Sequence, residues 1–409
     1  MLNFGLECRS IQDFRKNFME QSRGHQKWYV LFLVILTNLF VVAMPMMGVS
    51  VLSKEISQEL GLSVVQIGAV WGAGALPGIP LSLLAGTLGD KFGTKRVLVL
   101  GSLLAGLLGA ARGLATDFVS LTVLVILVGA LLPFVSMTGI KAAGQWFPSQ
   151  QLGLANGLIS MGMALGFLLG ALLSATTFSP WLGGWRNVLF AYGLIGASFS
   201  LPWYFAPTLP SGAMPQVSMH RALRQVLGVK NVWLLGLTLF GVGGCIQGLL
   251  GYLPLYLRNQ GWNALRADGA LSAFHTVSML CVLPIALWSD RLGARKRLVL
   301  IAIALIAFGT GWMSVANDAW VWVAVSMAGM VRDAFMALFM TMVIETKGVG
   351  PAYAGTALGL TMALGGLGNF LAPPLGNSLA AWWPAAPFLF WAMLAILGMA
   401  CFRMVQAEI

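Results

Sequence analysis

Residues 86–96 read GTLGDKFGTKR, and residues 286–297 read ALWSDRLGARKR. Two hundred residues apart, the chain uses one device twice. An aspartate (Asp90, Asp290) is followed three positions on by a glycine (Gly93, Gly293) and then by a basic cluster (Lys95 and Arg96; Arg295, Lys296 and Arg297). Each copy joins the second and third apolar run of its own half of the chain. A looser match links Gly153-Leu154-Ala155-Asn156-Gly157-Leu158 with Gly355-Thr356-Ala357-Leu358-Gly359-Leu360, at the starts of the fifth and eleventh runs. The chain is therefore read as two copies of one unit.

The composition says what kind of unit. Of 409 residues, 58% are hydrophobic and 9% charged, and the mean hydropathy is +0.84. Soluble domains are about 25% charged, so a soluble globule is excluded, and a disordered chain is excluded by the same poverty of charge. Fifty glycines without a three-residue period exclude collagen. Four cysteines with no CxxC pair imply neither a disulfide framework nor a metal site. An all-α membrane protein remains, with twelve apolar runs of spanning length in two pseudo-symmetric six-helix bundles. The expected organisation is an N-terminal tail (1–27), a first bundle (28–206), a linker (207–230), a second bundle (231–403) and a short C-terminal tail (404–409). The N-terminal tail carries mixed charge and does not read as a cleavable signal peptide.

The formal charge of +11 has a topological explanation. With the N-terminus on the cytoplasmic side, 18 of the 24 Lys and Arg residues fall on that side and four on the other. That is the positive-inside pattern of a multi-pass protein in a cell (inner) membrane with both termini cytoplasmic. The lipid bilayer, not nucleic acid, is the expected partner of these charges. Tryptophans at run ends, such as Trp28, Trp181, Trp185, Trp382 and Trp383, read as an interfacial belt.

On its loop motif, its twelve runs and its repeat, the chain resembles the major facilitator superfamily. Residues 86–96 follow the pattern G-x-L-x-D-[RK]-x-G-[RK]-[RK] with Thr94 in place of one basic residue, and the second copy has Ala286 where glycine is common. Gly184-Trp185-Arg186 and Trp146-Phe147-Pro148 add to the match. More distantly, the chain is similar to the cyanate/nitrate-type and organic-anion permeases. Its second and eighth runs, however, carry no arginine. The resemblance implies a secondary transporter with a rocker-switch cycle, and a gating role for Gly86, Asp90, Lys91, Gly93, Arg96, Asp290 and Gly293. Independently, an aspartate at a span end suits the positive end of a neighbouring helix, and Gly93 suits a tight turn with positive φ.

Charge inside a span is costly and needs a reason. Among the acids only Asp333 falls near the middle of a run, next to Arg332. Read on one continuous helix from 319 to 344, these neighbours point about 100° apart and make a poor side-by-side pair. The expectation is that Arg332 faces a central cavity and holds an anion with its planar fork. Asp333 then balances the charge or carries a coupling proton. By the resemblance, Asn38 and Gln247 also stand on cavity-lining helices, and His275 on a supporting one. Arg112, near the end of the third run, is expected to snorkel to the interface. Gly162, Gly166 and Gly170, and Gly365, Gly366 and Gly368, are read as helix-packing surfaces.

No Walker, HExxH, GxSxG or haem pattern is present, so neither enzyme activity nor a cofactor is expected. The reading is a monomeric carrier of a small, anionic solute, with a proton as the expected coupling ion (symport). Its rivals are efflux of amphipathic compounds and, further off, a non-transporting membrane sensor.

Overall fold

The structure, a computed structural model, describes residues 26–81, 93–148, 151–207, 219–292 and 294–406. Long apolar runs fold here as helices because a backbone in lipid has no water to satisfy it. In the first half these are α1 (Gln26–Val51), α2 (Val64–Leu81), α3 (Thr94–Leu114), α4 (Phe118–Trp146), α5 (Leu152–Leu182) and α6 (Trp185–Phe205). The second half has α7 (Lys230–Asn259), α8 (Ala264–Ser289), α9 (Arg295–Trp312), α10 (Ala319–Ile344), α11 (Tyr353–Ala381) and α12 (Ala386–Arg403). Eleven of them are long and apolar enough to cross a membrane. The remaining one, α9, has the 18 residues but opens on Arg295, Lys296 and Arg297. A short helix, Met219–Leu227, precedes α7.

Helix starts follow from local chemistry. Ser63 and Gln66 form a capping box at α2, and Asp117 and Ser120 form one at α4. Gly93 enters α3 with φ +80°, a backbone setting that suits glycine. Arg96 is exposed in the first turn of α3. Gly86, Asp90, Lys91 and Gly293 lie outside the described residues, and so does the side chain of Asp290.

The bundle has two chemically distinct ends. At the basic end, Lys27 Nζ meets Gln151 Oε1 at 3.2 Å, Arg295 Nη1 meets Glu345 Oε1 at 2.6 Å, and Lys296 Nζ meets the Val405 carbonyl at 2.6 Å. At the opposite end, Glu59 pairs with Arg186 at 2.6 Å, and Arg258 with Asp268 at 2.5 Å. Arg186 also donates from Nη1 to the Gly113 and Ala115 carbonyls.

The repeat is visible in the packing. A Cβ added at Gly162, Gly166 or Gly170 of α5 would come within 2.5, 2.7 and 2.6 Å of Ile35, Ala43 and Met44 on α1. A Cβ at Gly365 or Gly368 of α11 would come within 2.7 and 2.1 Å of Leu239 and Phe240 on α7. Thus α5 lies on α1 as α11 lies on α7. The glycines are what lets the backbones approach.

The halves meet toward the end opposite the basic one. Ser50 Oγ donates to the Leu250 carbonyl (2.5 Å), Lys54 Nζ to the Arg258 carbonyl (3.1 Å), and Asn377 Nδ2 to the Val64 carbonyl (2.9 Å). Deeper in, Trp71 Nε1 donates to the Gln247 carbonyl at 2.8 Å, and its ring lies so close to Gly251 that a Cβ there would be 2.3 Å from it. These contacts seal one end and leave a cavity beneath them.

Candidate functional site

A cavity of about 410 Å³ lies between the halves. Its walls are mostly apolar and include five methionines: Met46, Met47, Met137, Met336 and Met362. Few polar side chains reach it, chiefly Gln247, His275, Arg332, Asn369 and Ser136. Apolar walls with a few convergent polar groups are the usual make-up of a small-molecule site.

Arg332 owes its place to a break in α10. The helix stops at Met330, Val331 takes φ −106° and ψ −4°, and a new helix starts at Arg332. This corrects the continuous-helix expectation, and with it the expectation that neighbours cannot pair. Arg332 Nη1 does form a salt bridge with Asp333 Oδ1. Both residues stand in the first turn of the new helix, still about 100° apart, and the long arginine side chain bends back to reach its neighbour's carboxylate. Asp333 sits there beside the positive end of the helix dipole. Ser278 of α8 completes the arrangement. Its hydroxyl donates to Asp333 Oδ2 at 2.7 Å and accepts from the Asp333 N–H at 3.2 Å. Asp333 is thus held from two sides, while Arg332 lines the cavity.

Phe167 of α5 crosses from the other half. The Arg332 guanidinium carbon is 5.8 Å from the centre of its ring, and the His275 ring lies 5.3 Å away, tilted by 30°. Phe167 of the first half therefore contacts both Arg332 and His275 of the second. The contact with Arg332 is a cation–π arrangement. His275 is buried, and its Nε2 has no hydrogen-bond partner among the described residues. Asn369 Oδ1 is likewise unpaired and buried at the cavity wall.

Of the five expected site residues, Gln247, His275 and Arg332 line this one cavity, and Asp333 lies behind Arg332. Asn38 does not reach it. It is buried in a stretch where α1 widens into a π-helical turn (Asn38–Ala43), and its Nδ2 donates to the Val34 carbonyl at 3.0 Å. Its amide faces Gly139 of α4, and the next turn presents Val42 to the cavity instead. Arg112 also departs from expectation. It does not reach out to the interface but is buried, 4% exposed.

Phe167, Ser278 and Asn369 carry roles that the sequence reading did not give them. For Asn369 a signal existed, since it is a lone amide in the glycine-rich middle of α11. Ser278 stands one helical turn after His275. Nothing distinguishes Phe167 from the other phenylalanines until the halves are assembled.

Comparison with known proteins adds independent information. The family model described as Major Facilitator Superfamily matches residues 31–373 and 270–408. The probable nitrate/nitrite antiporter NarK1 of Thermus thermophilus is 28% identical over 364 residues, covering 81% of each chain. The 3-(3-hydroxy-phenyl)propionate transporter of Escherichia coli is 27% identical over 340 residues, covering 80% of each. Among solved structures, a bacterial homologue of the human lysosomal transporter Spinster superposes with a TM-score of 0.70 at 18% identity, covering 93% of this chain and 95% of that one. A variant of the nucleoside transporter NupG gives 0.74 at 14% identity, with 93% and 98% covered. These two likenesses concern the fold alone.

Proposed function

Because this chain belongs to the Major Facilitator Superfamily, and is thus a multi-pass membrane transporter rather than an enzyme, we propose that it carries small organic anions by alternating access. One observation carries the reading. A guanidinium, set at the start of a broken half of α10, lines a cavity whose other walls are largely apolar. A cation held there favours a ligand of opposite charge, and its planar fork suits a carboxylate or sulfonate. Half-helix starts near mid-membrane serve carriers of anionic substrates in the same way.

Cavity size supports an organic ligand over an inorganic oxyanion. About 410 Å³ lined by methionine, leucine and phenylalanine matches an apolar body attached to one anionic group. Names of relatives point the same way in part: one is called a transporter of a phenylpropionate, another a probable sulfoacetate transporter. Amphipathic cations, the usual cargo of an efflux reading, would meet Arg332 as a like charge.

The basic end is cytoplasmic in this account, and the membrane is the cell (inner) membrane. The cavity then opens inward, with the seal at Ser50, Lys54, Trp71 and Asn377 closing the outer side. Asp333 and His275, both beside Arg332, are the groups that can exchange a coupling proton. The test is binding by purified protein. 3-Phenylpropionate should raise the melting temperature of the wild type, and its methyl ester should not. In Arg332→Gln the shift should disappear. Equal stabilisation by acid and ester would refute the reading.

A further inference from the structure

A second, smaller cavity of about 130 Å³ adjoins the first. The two share Val42, Met46, Gly74, Ala75, Gly129, Leu132, Gln247 and Asn369 as walls, so they are lobes of one space. The small lobe lies toward the sealed end, where Val49, Val70 and Trp71 bound it. Its one charged wall residue is Arg112, at the end of α3 in the first half.

Arg112 is 4% exposed, and no carboxylate among the described residues pairs with it. Among the described residues its one hydrogen bond runs from Nε to the Gly109 carbonyl, at 3.3 Å. The outer nitrogens, Nη1 and Nη2, take no acceptor from the described residues; Nη2 lies beside Gly109, and Arg112 is among the residues that line the lobe. A guanidinium withdrawn from water and left without a counter-charge is costly. The contrast with the large lobe is direct, because Arg332 there has Asp333 as a partner. Asn369, whose Oδ1 has no hydrogen-bond partner among the described residues, stands at the wall common to both lobes.

We propose that Arg112 is a second anion-binding group of the cavity, so that the preferred substrates carry an anionic group at each end, one held by Arg332 and the other by Arg112. The inference rests on the organic-anion reading above and narrows it to dicarboxylates and similar two-ended anions. Such a molecule joins a cation of the first half to a cation of the second. Gln247 and Asn369 line the space between and offer amides to polar groups along its length.

The test uses the full-length purified protein and the dicarboxylates from succinate to suberate, each beside its monomethyl ester, with 3-phenylpropionate as the one-ended reference. In the wild type, the best dicarboxylate should bind at least about tenfold more tightly than its monoester, as loss of one charge-assisted contact implies. Equal affinities would overturn the proposal, and this comparison needs no variant. Arg112→Gln should weaken the dicarboxylate at least about tenfold more than it weakens 3-phenylpropionate, erasing the dicarboxylate advantage, and Arg112→Lys should restore part of the advantage. A residue that merely caps α3 would weaken both ligand types alike in Arg112→Gln, which would also overturn it. Arg332→Gln should weaken both types. If 3-phenylpropionate binds wild type and Arg332→Gln equally, the organic-anion reading itself has failed, and that outcome is distinct from a failure confined to Arg112.

Discussion

The two halves of the molecule share one plan and differ where it matters. In the second half, α10 is interrupted at Val331, and Arg332 and Asp333 follow the break. Two hundred residues earlier, α4 has Leu132 and Pro133 at the corresponding place, and both line the same cavity. Proline deprives that helix of one backbone donor, so both helices are disturbed near the same depth. Only the second half fills the disturbance with charge. Duplication gave two equivalent positions, and they have diverged into an apolar wall and a cationic one. An amphipathic anion needs both.

The ends of the halves differ in a similar way. Glu59 and Arg186 in the first half are 49% and 33% exposed, whereas Arg258 and Asp268 in the second are 7% and 0% exposed. The largest effect is therefore expected at the buried pair. Asp268→Ala should cost about 3–5 kcal/mol of stability by stranding Arg258, seen as a sharp fall in melting temperature that salt does not mimic. A fall no larger than that of an exposed-pair variant would erase the contrast.

Next in size come the glycine contacts that the halves have in common. Gly170→Leu and Gly368→Leu should each destabilise by about 1–3 kcal/mol or more, because backbone stands where the side chain would go. The pseudo-symmetry predicts comparable losses in yield and melting temperature. A large loss in one and none in the other would break it.

Ser278→Ala removes both bonds to Asp333. Anion affinity should drop about fivefold, as loss of about 1 kcal/mol implies, with recovery in Ser278→Thr. Unchanged affinity in the alanine variant would mean that Arg332 is positioned without this support.

The smallest effect belongs to Glu59. Hydrogen bonding from Arg186 holds its carboxyl below the usual value of 4.5. A depressed native pKa stabilises above the unfolded value and loses that contribution as pH falls through the folded one. Glu59→Gln should thus be slightly less stable than wild type at pH 7, with the difference vanishing well below pH 4.5. Added salt should shrink it at pH 7 as well. A difference that persists in acid would assign it to the hydrogen bond that Trp185 Nε1 donates to Glu59 at 2.6 Å rather than to charge.

Helix number, helix order and the duplication were all legible in the sequence, because lipid imposes length and composition on every span. The place of Arg332 at the cavity wall was legible too, since charge at mid-span stands out against so apolar a background. What was hidden came from geometry between segments. The break at Val331 carries no proline, and Gly329 just before it does not stand out in a chain with 50 glycines, so the Arg332–Asp333 pair was misjudged. Asn38 looked like a lining residue, but the π-helical widening of α1 turns it toward α4. Arg112 looked like an interfacial residue by its distance from the chain turn, and its inward direction depends on how α3 packs against α6. Phe167 gained its place only from the meeting of α5 with α8.

The most direct measurement of the central claim is counterflow in proteoliposomes preloaded with unlabelled 3-phenylpropionate. Labelled 3-phenylpropionate should accumulate transiently with wild-type protein, be blocked by excess acid but not by its methyl ester, and show no accumulation with Arg332→Gln. Full counterflow in Arg332→Gln, with the protein correctly inserted, would contradict the account.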